Sequence, residues 1–104
     1  MAVLSPVTVA LARAAQEVPM AWLTQSRFPG RKPVVSAFRT AIELLPAPAS
    51  TEHFALRQLR HDLQDIVDGP DPRGGTFKAQ AIHVAGKLHD QAIRSMLQDH
   101  TRVD

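Results

Sequence analysis

Proline and glycine cut this 104-residue chain into helix-length stretches, and no other feature limits its fold as strongly. They cluster in three places: Pro29-Gly30 to Pro33, Pro46 to Pro48, and Gly69-Pro70 to Gly74-Gly75. Proline lacks a backbone N–H and its ring clashes with the preceding helical turn, while glycine loses the most chain entropy on ordering. Such clusters end helices rather than interrupt them. Between them, apolar residues recur every three or four positions, the period of an amphipathic helix.

The first stretch opens on Ser5-Pro6, a good N-cap followed by a proline suited to the first helical position. Leu4, Val7, Leu11, Ala14, Val18 and Ala21 make its stripe, with Trp22 alongside. Pro19 is expected to kink or divide this helix near Val18, and the segment to end near Gln25. A second helix is expected from about Pro33, with Val34, Phe38, Ala41 and Leu45 in its stripe, until Pro46 and Pro48 stop it. A third, capped by Ser50 or Thr51, carries Leu56, Leu59, Leu63 and Ile66 and stops at Gly69-Pro70. A fourth, capped by Thr76, is expected to turn Ile82, Ala85, Leu88, Ala92, Ile93, Met96 and Leu97 inward and to run to about His100. No run alternates with the period of a strand. The expected fold is therefore all-α, an antiparallel up-down four-helix bundle forming one domain over residues 1–104. A three-helix bundle with a loose or swapped fourth helix is the main rival.

Composition excludes several chemistries. Apolar residues make up 44% of the chain, enough for one modest core. There is no cysteine, so disulfides and thiolate chemistry are out, and structural zinc is disfavoured. The formal charge of +2 is small for a general nucleic-acid binder. The longest apolar stretch, Ala2 to Ala12, is broken by Ser5, Pro6 and Thr8 and is far short of the roughly 20 residues of a membrane span.

No catalytic or metal motif is present. On the third helix His53, Arg57, His61 and Asp65 recur every four residues. Only His61 and Asp65 are close enough to share an ion, and a catalytic zinc site wants three protein ligands. This row reads as a solvated face. His83 sits in a polar row with Gln80, Lys87 and Gln91. His89 lies nearer the apolar side, as a boundary residue whose protonation near the usual imidazole pKa of about 6.5 would loosen packing. No acid, base and nucleophile converge, so neither an enzyme, a cofactor nor a metal is expected.

Two turns stand apart. In an up-down bundle the first and third connections share an end, and each here carries a Phe among basic residues. The turn from Ser26 to Pro33 holds Arg27, Phe28, Arg31 and Lys32. The turn from Asp68 to Lys78 holds Arg73, Phe77 and Lys78 against Asp68 and Asp71. Five cations against two acids leave this end three charges in excess, while the Pro46–Ser50 turn has none. The plain alternative is that both rings fold back and plug the core, as hydrophobic staples do.

The layout resembles the four-helix-bundle membrane-localization domains of bacterial toxins and type III effectors, in which the first and third loops meet anionic phospholipid. The resemblance implies a non-enzymatic targeting domain. It places the lipid-binding tip at Arg27, Phe28, Arg31, Lys32, Arg73, Phe77 and Lys78, with the chain serving as a module of a larger protein. It also implies a peripheral membrane location, including a host plasma membrane after secretion from a bacterium, with the cytoplasm as the alternative. Charges near acidic lipid contribute roughly 1 kcal/mol each and a fully buried Phe about 1.5–3 kcal/mol, so such a tip would bind with about 5–8 kcal/mol before ordering costs. The competing reading is a helical interaction or regulatory module, with a protein partner or a second copy bound on a helix face near Trp22 and the Pro19 kink. A small nucleic-acid-binding protein ranks below both.

Overall fold

The computed structural model describes residues 4–46, 54–69 and 76–101. Five helical segments run along them: α1 (Pro6–Glu17), α2 (Met20–Leu23), α3 (Arg31–Leu44), α4 (Phe54–Asp68) and α5 (Thr76–Thr101). No strand occurs among the described residues. α1 packs on α3 and α5, α4 also packs on α3 and α5, and the short α2 rests on α5. The chain is an all-helical bundle in which one buried cluster draws on α1, α3, α4 and α5.

α1 starts where the sequence places it. Ser5 is extended, its Oγ accepts the Thr8 N–H, and Pro6 takes the first helical position. Pro19 divides the helix at Val18 as expected. The Val18 N–H turns back to the Ala15 carbonyl at 3.2 Å, and the Trp22 N–H goes to the Pro19 carbonyl instead of that of Val18. The break shifts the apolar phase, so Leu23 is buried after Val18, while Ala21 is exposed. Leu4, expected in the stripe, is exposed as well.

α3 and α4 bury the expected rows: Val34, Phe38, Ala41 and Leu45 on one, Leu56, Leu59, Leu63 and Ile66 on the other. α3 begins two residues before Pro33, at Arg31, because Gly30 turns the chain into it at φ 104°, a conformation costly for any side chain. The end of α3 is closed from outside. Arg60 of α4 donates to the carbonyl of Leu45 (3.0 Å), which the helix end leaves without a backbone partner, and to that of Ile42 (3.3 Å), which also accepts the Leu45 N–H. α4 ends at Asp68, with the Gly69 N–H on the Asp65 carbonyl. The expected caps Ser50 and Thr51 lie outside the described residues.

α5 departs from expectation. Its buried row is Phe77, Ala81, Val84, Ala85, Leu88 and Ala92, continued by the half-buried Ser95 and the buried Asp99. Ile93, Met96 and Leu97, expected inside, are exposed. The reason lies at the two ends of the helix. Phe77 packs on Phe28 and Asp99 binds the start of α1. Twenty-two residues at 100° each bring these two positions back to nearly the same side, which fixes the row between them.

Candidate functional site

The structure brings the two Phe-bearing turns together. The rings of Phe28 and Phe77 meet edge to face, with centroids 6.2 Å apart and planes at 71°. A cation covers each ring: the Arg31 guanidinium carbon lies 5.0 Å from the Phe77 centroid, and Lys78 Nζ lies 5.9 Å from that of Phe28. Arg31 Nη2 also donates to the Gly69 carbonyl at 3.1 Å. One guanidinium thus joins the start of α3, the end of α4 and the first turn of α5.

The tip is packed rather than open. Phe77 is 7% exposed and belongs to the core, and Phe28 is half buried against it. Arg31 is committed to intramolecular contacts. Arg27, Lys32 and Lys78 remain exposed, and Arg27 and Lys32 have neither an ion pair nor a hydrogen bond among the described residues. Lys32 sits in the first turn of α3, which holds no acid. A cation there opposes the helix dipole, and no carboxylate pairs with it among the described residues. Arg73 lies outside the described residues.

The remote ends of the same helices look different. The exposed large hydrophobic residues among those described are Leu4 before α1, Leu44 at the end of α3, Phe54 at the start of α4, and Ile93, Met96 and Leu97 late in α5. None is at the tip. Beside Ile93, a cleft of about 370 Å³ opens between α1, the Pro19 break and α5, lined chiefly by Ala12, Ala15, Pro19, Ala92, Ile93 and Met96. His89 reaches into the same wall, where Nε2 donates to the Val18 carbonyl at 2.9 Å. It replaces the N–H that the proline break sends elsewhere, a satisfied boundary role as expected.

A buried polar knot lies near this end. Asp99 Oδ2 accepts the Ser5 N–H at 2.8 Å and the Thr8 hydroxyl. The Thr8 hydroxyl has one proton, given to Asp99, so the Ser95 hydroxyl and the Ser5 hydroxyl (2.9 Å) both donate to Thr8 Oγ1. In a capping box, a carboxylate three residues into the helix binds the cap N–H. Here Thr8 occupies that position and α5 supplies the carboxylate from 94 residues away. The Ser5-Pro6 cap was legible in the sequence; its distant completion by Asp99 was not, because nothing local marks it.

His61 and Asp65 are exposed, and no group of three His, Asp or Glu able to hold a metal gathers among the described residues. No described helix is long and apolar enough to cross a membrane. No protein-family model matches the chain, and no curated protein or solved structure matches it either.

Proposed function

We propose that this protein is a non-enzymatic targeting domain, an up-down antiparallel four-helix bundle that settles its basic tip on anionic phospholipid. Four contacts support the bundle topology. The start of α1 meets the end of α5, and the break after α1 meets the middle of α5 at His89. Arg60 early in α4 reaches the end of α3. Asp62 in mid-α4 pairs with Lys87 of α5 at 3.1 Å. The observation that carries the lipid reading is the joining of both loops at one end, where Arg27, Lys32 and Lys78 are exposed around the half-buried Phe28. Their packing sets the strength. Three exposed cations at roughly 1 kcal/mol each and about 1 kcal/mol from the accessible part of Phe28 give about 4 kcal/mol, a millimolar affinity for one copy. Attachment is weak, salt-sensitive and driven by charge.

Co-sedimentation with vesicles tests this directly. Binding to phosphatidylserine-containing vesicles, lost on neutral phosphatidylcholine and on changing Arg27, Lys32 and Lys78 to Ser, is the expected result. Equal binding to both vesicle types, or retention by the triple variant, overturns it.

A second reading has its own observation. Ile93, Met96 and Leu97 lie exposed on α5 beside the apolar cleft at Pro19. A helical interaction module would use that face, which differs from the surface around Trp22 expected from the sequence: Trp22 packs partly against the core.

A further inference from the structure

The outer side of α5 carries a glycine that the fold does not require. Gly86 lies inside the 26-residue helix, where glycine is among the poorest helix formers. A Cβ built there meets nothing within 4 Å, so packing within the chain does not explain it. A helix-interior glycine with open space above it suits a close approach from outside. Gly86 shares a face with Ile93 and Leu97, at spacings of 7 and 4 that return to one side of a helix. Ile93 is 53% and Leu97 60% exposed.

We propose that a second copy of this chain docks on this face, α5 against α5, antiparallel about a two-fold axis crossing the helices near Gln91 and Ala92. Two independent matches fix that axis. Gly86 and Leu97 lie nearly symmetrically about it, so each Leu97 enters the notch over the partner's Gly86. Asp90 and Arg94 also lie symmetrically about it. They bind each other within one chain at 2.8 Å and, in the dimer, meet again across the axis with opposite signs. A parallel pairing would set Asp90 against Asp90, Arg94 against Arg94, and leave an empty gap at Gly86. The face is thus complementary to itself, as a two-fold interface must be. The lining of the adjacent cleft holds no carboxylate, lysine or arginine, so like copies meet no repulsion there. The area limits the strength. Three partly exposed aliphatic side chains offer on the order of 300 Å² per copy, within the range of functional patches. Two copies then bury about half of the roughly 1,200–2,000 Å² of a stable interface, so the dimer is weak and concentration-dependent.

This inference rests on the helix-face reading and not on the lipid tip. Sedimentation equilibrium of the full chain over roughly 10 µM to 1 mM, the range expected for so small an interface, should show mass rising toward a dimer. Gly86→Leu fills the notch. It should stay monomeric throughout and melt no lower than the parent, because its side chain meets open space. Asp90→Arg should weaken the dimer at least about tenfold, and adding Arg94→Asp should restore it. A parent chain that stays monomeric over the whole range overturns the proposal. So does a dimer whose constant is unchanged by Gly86→Leu and Asp90→Arg. The tip variant with Arg27, Lys32 and Lys78 changed to Ser should dimerise like the parent, so failure of lipid binding and failure of dimerisation are separate results.

Discussion

Two phenylalanines, each at the start of its own helix but beside opposite ends of α4, show how differently those two ends are built. Phe77, near the start of α5, is 7% exposed, touches Phe28, and lies under Arg31. Phe54, at the start of α4, is 69% exposed. The tip looks sticky in sequence, with its rings and its cations, yet it packs both rings on each other and sets a cation over each. The remote end looks unremarkable in sequence, yet it leaves apolar side chains on the surface and buries a carboxylate. A residue's type tells less about availability than the partners its neighbours offer. At the tip, aromatic rings and guanidinium satisfy one another. At the other end, Ser5 and Thr8 take the inward direction for Asp99 and push Ile93 and Leu97 out.

The sharpest way to break this comparison is to truncate both rings. Phe77→Ala should cost about 3 kcal/mol as a core deletion, lowering the melting temperature by more than about 10 °C. Phe54→Ala should stay within about 0.5 kcal/mol, as an exposed substitution. Similar melting temperatures for the two variants would erase the distinction.

The polar knot gives the next effect. Asp99→Ala strands the Ser5 N–H and turns the Thr8 hydroxyl back on the Ser5 and Ser95 hydroxyls, and should cost about 2 kcal/mol, read from denaturant midpoints at unchanged slope. Asp99→Asn keeps one acceptor and should lose less. If the alanine variant costs nothing, the carboxylate is not completing the α1 cap.

Arg31 and Lys32 refine the picture within one loop. Arg31→Ala removes the cover over Phe77 and the bond to the Gly69 carbonyl, and about 1 kcal/mol should be lost. Lys32→Ala relieves a cation at a helix start and should be neutral or stabilising by about 0.3 kcal/mol. Thermal melts at low salt distinguish them. The smallest effect belongs to Leu97→Ser, which should leave monomer stability within about 0.5 kcal/mol, because the side chain is already largely in water.

Local signals made much of the fold legible. Ser5-Pro6 marks a helix start, Pro19 a division, and Gly69 a stop, each through backbone chemistry that needs no distant partner. The α3 and α4 stripes are equally plain, because each helix has a single apolar row. α5 has two overlapping rows that share Ala85, Leu88 and Ala92. One continues to Ile93, Met96 and Leu97; the other starts at Phe77 and ends at Asp99. Hydrophobicity favours the first, and the structure takes the second, because partners from the Ser26–Pro33 turn and from α1 hold its two ends. The meeting of the two loops was legible from the order of the helices. That Arg31 would be consumed there was not, since it depends on where the Gly69 carbonyl ends up.

The bond between the Ser5 amide and the Asp99 carboxylate makes the fold nearly circular. It spans 94 positions in the chain, yet its atoms are 2.8 Å apart. Because these atoms already lie together, a covalent joint between α1 and α5 would restrict the folded state little and act on the unfolded chain, where loop-closure entropy grows only slowly with length. The order of the helices is thus a matter of where the ring is cut. A circular permutant joined across this contact and reopened between α4 and α5 should keep the packing of every helix pair while starting and finishing at the basic tip.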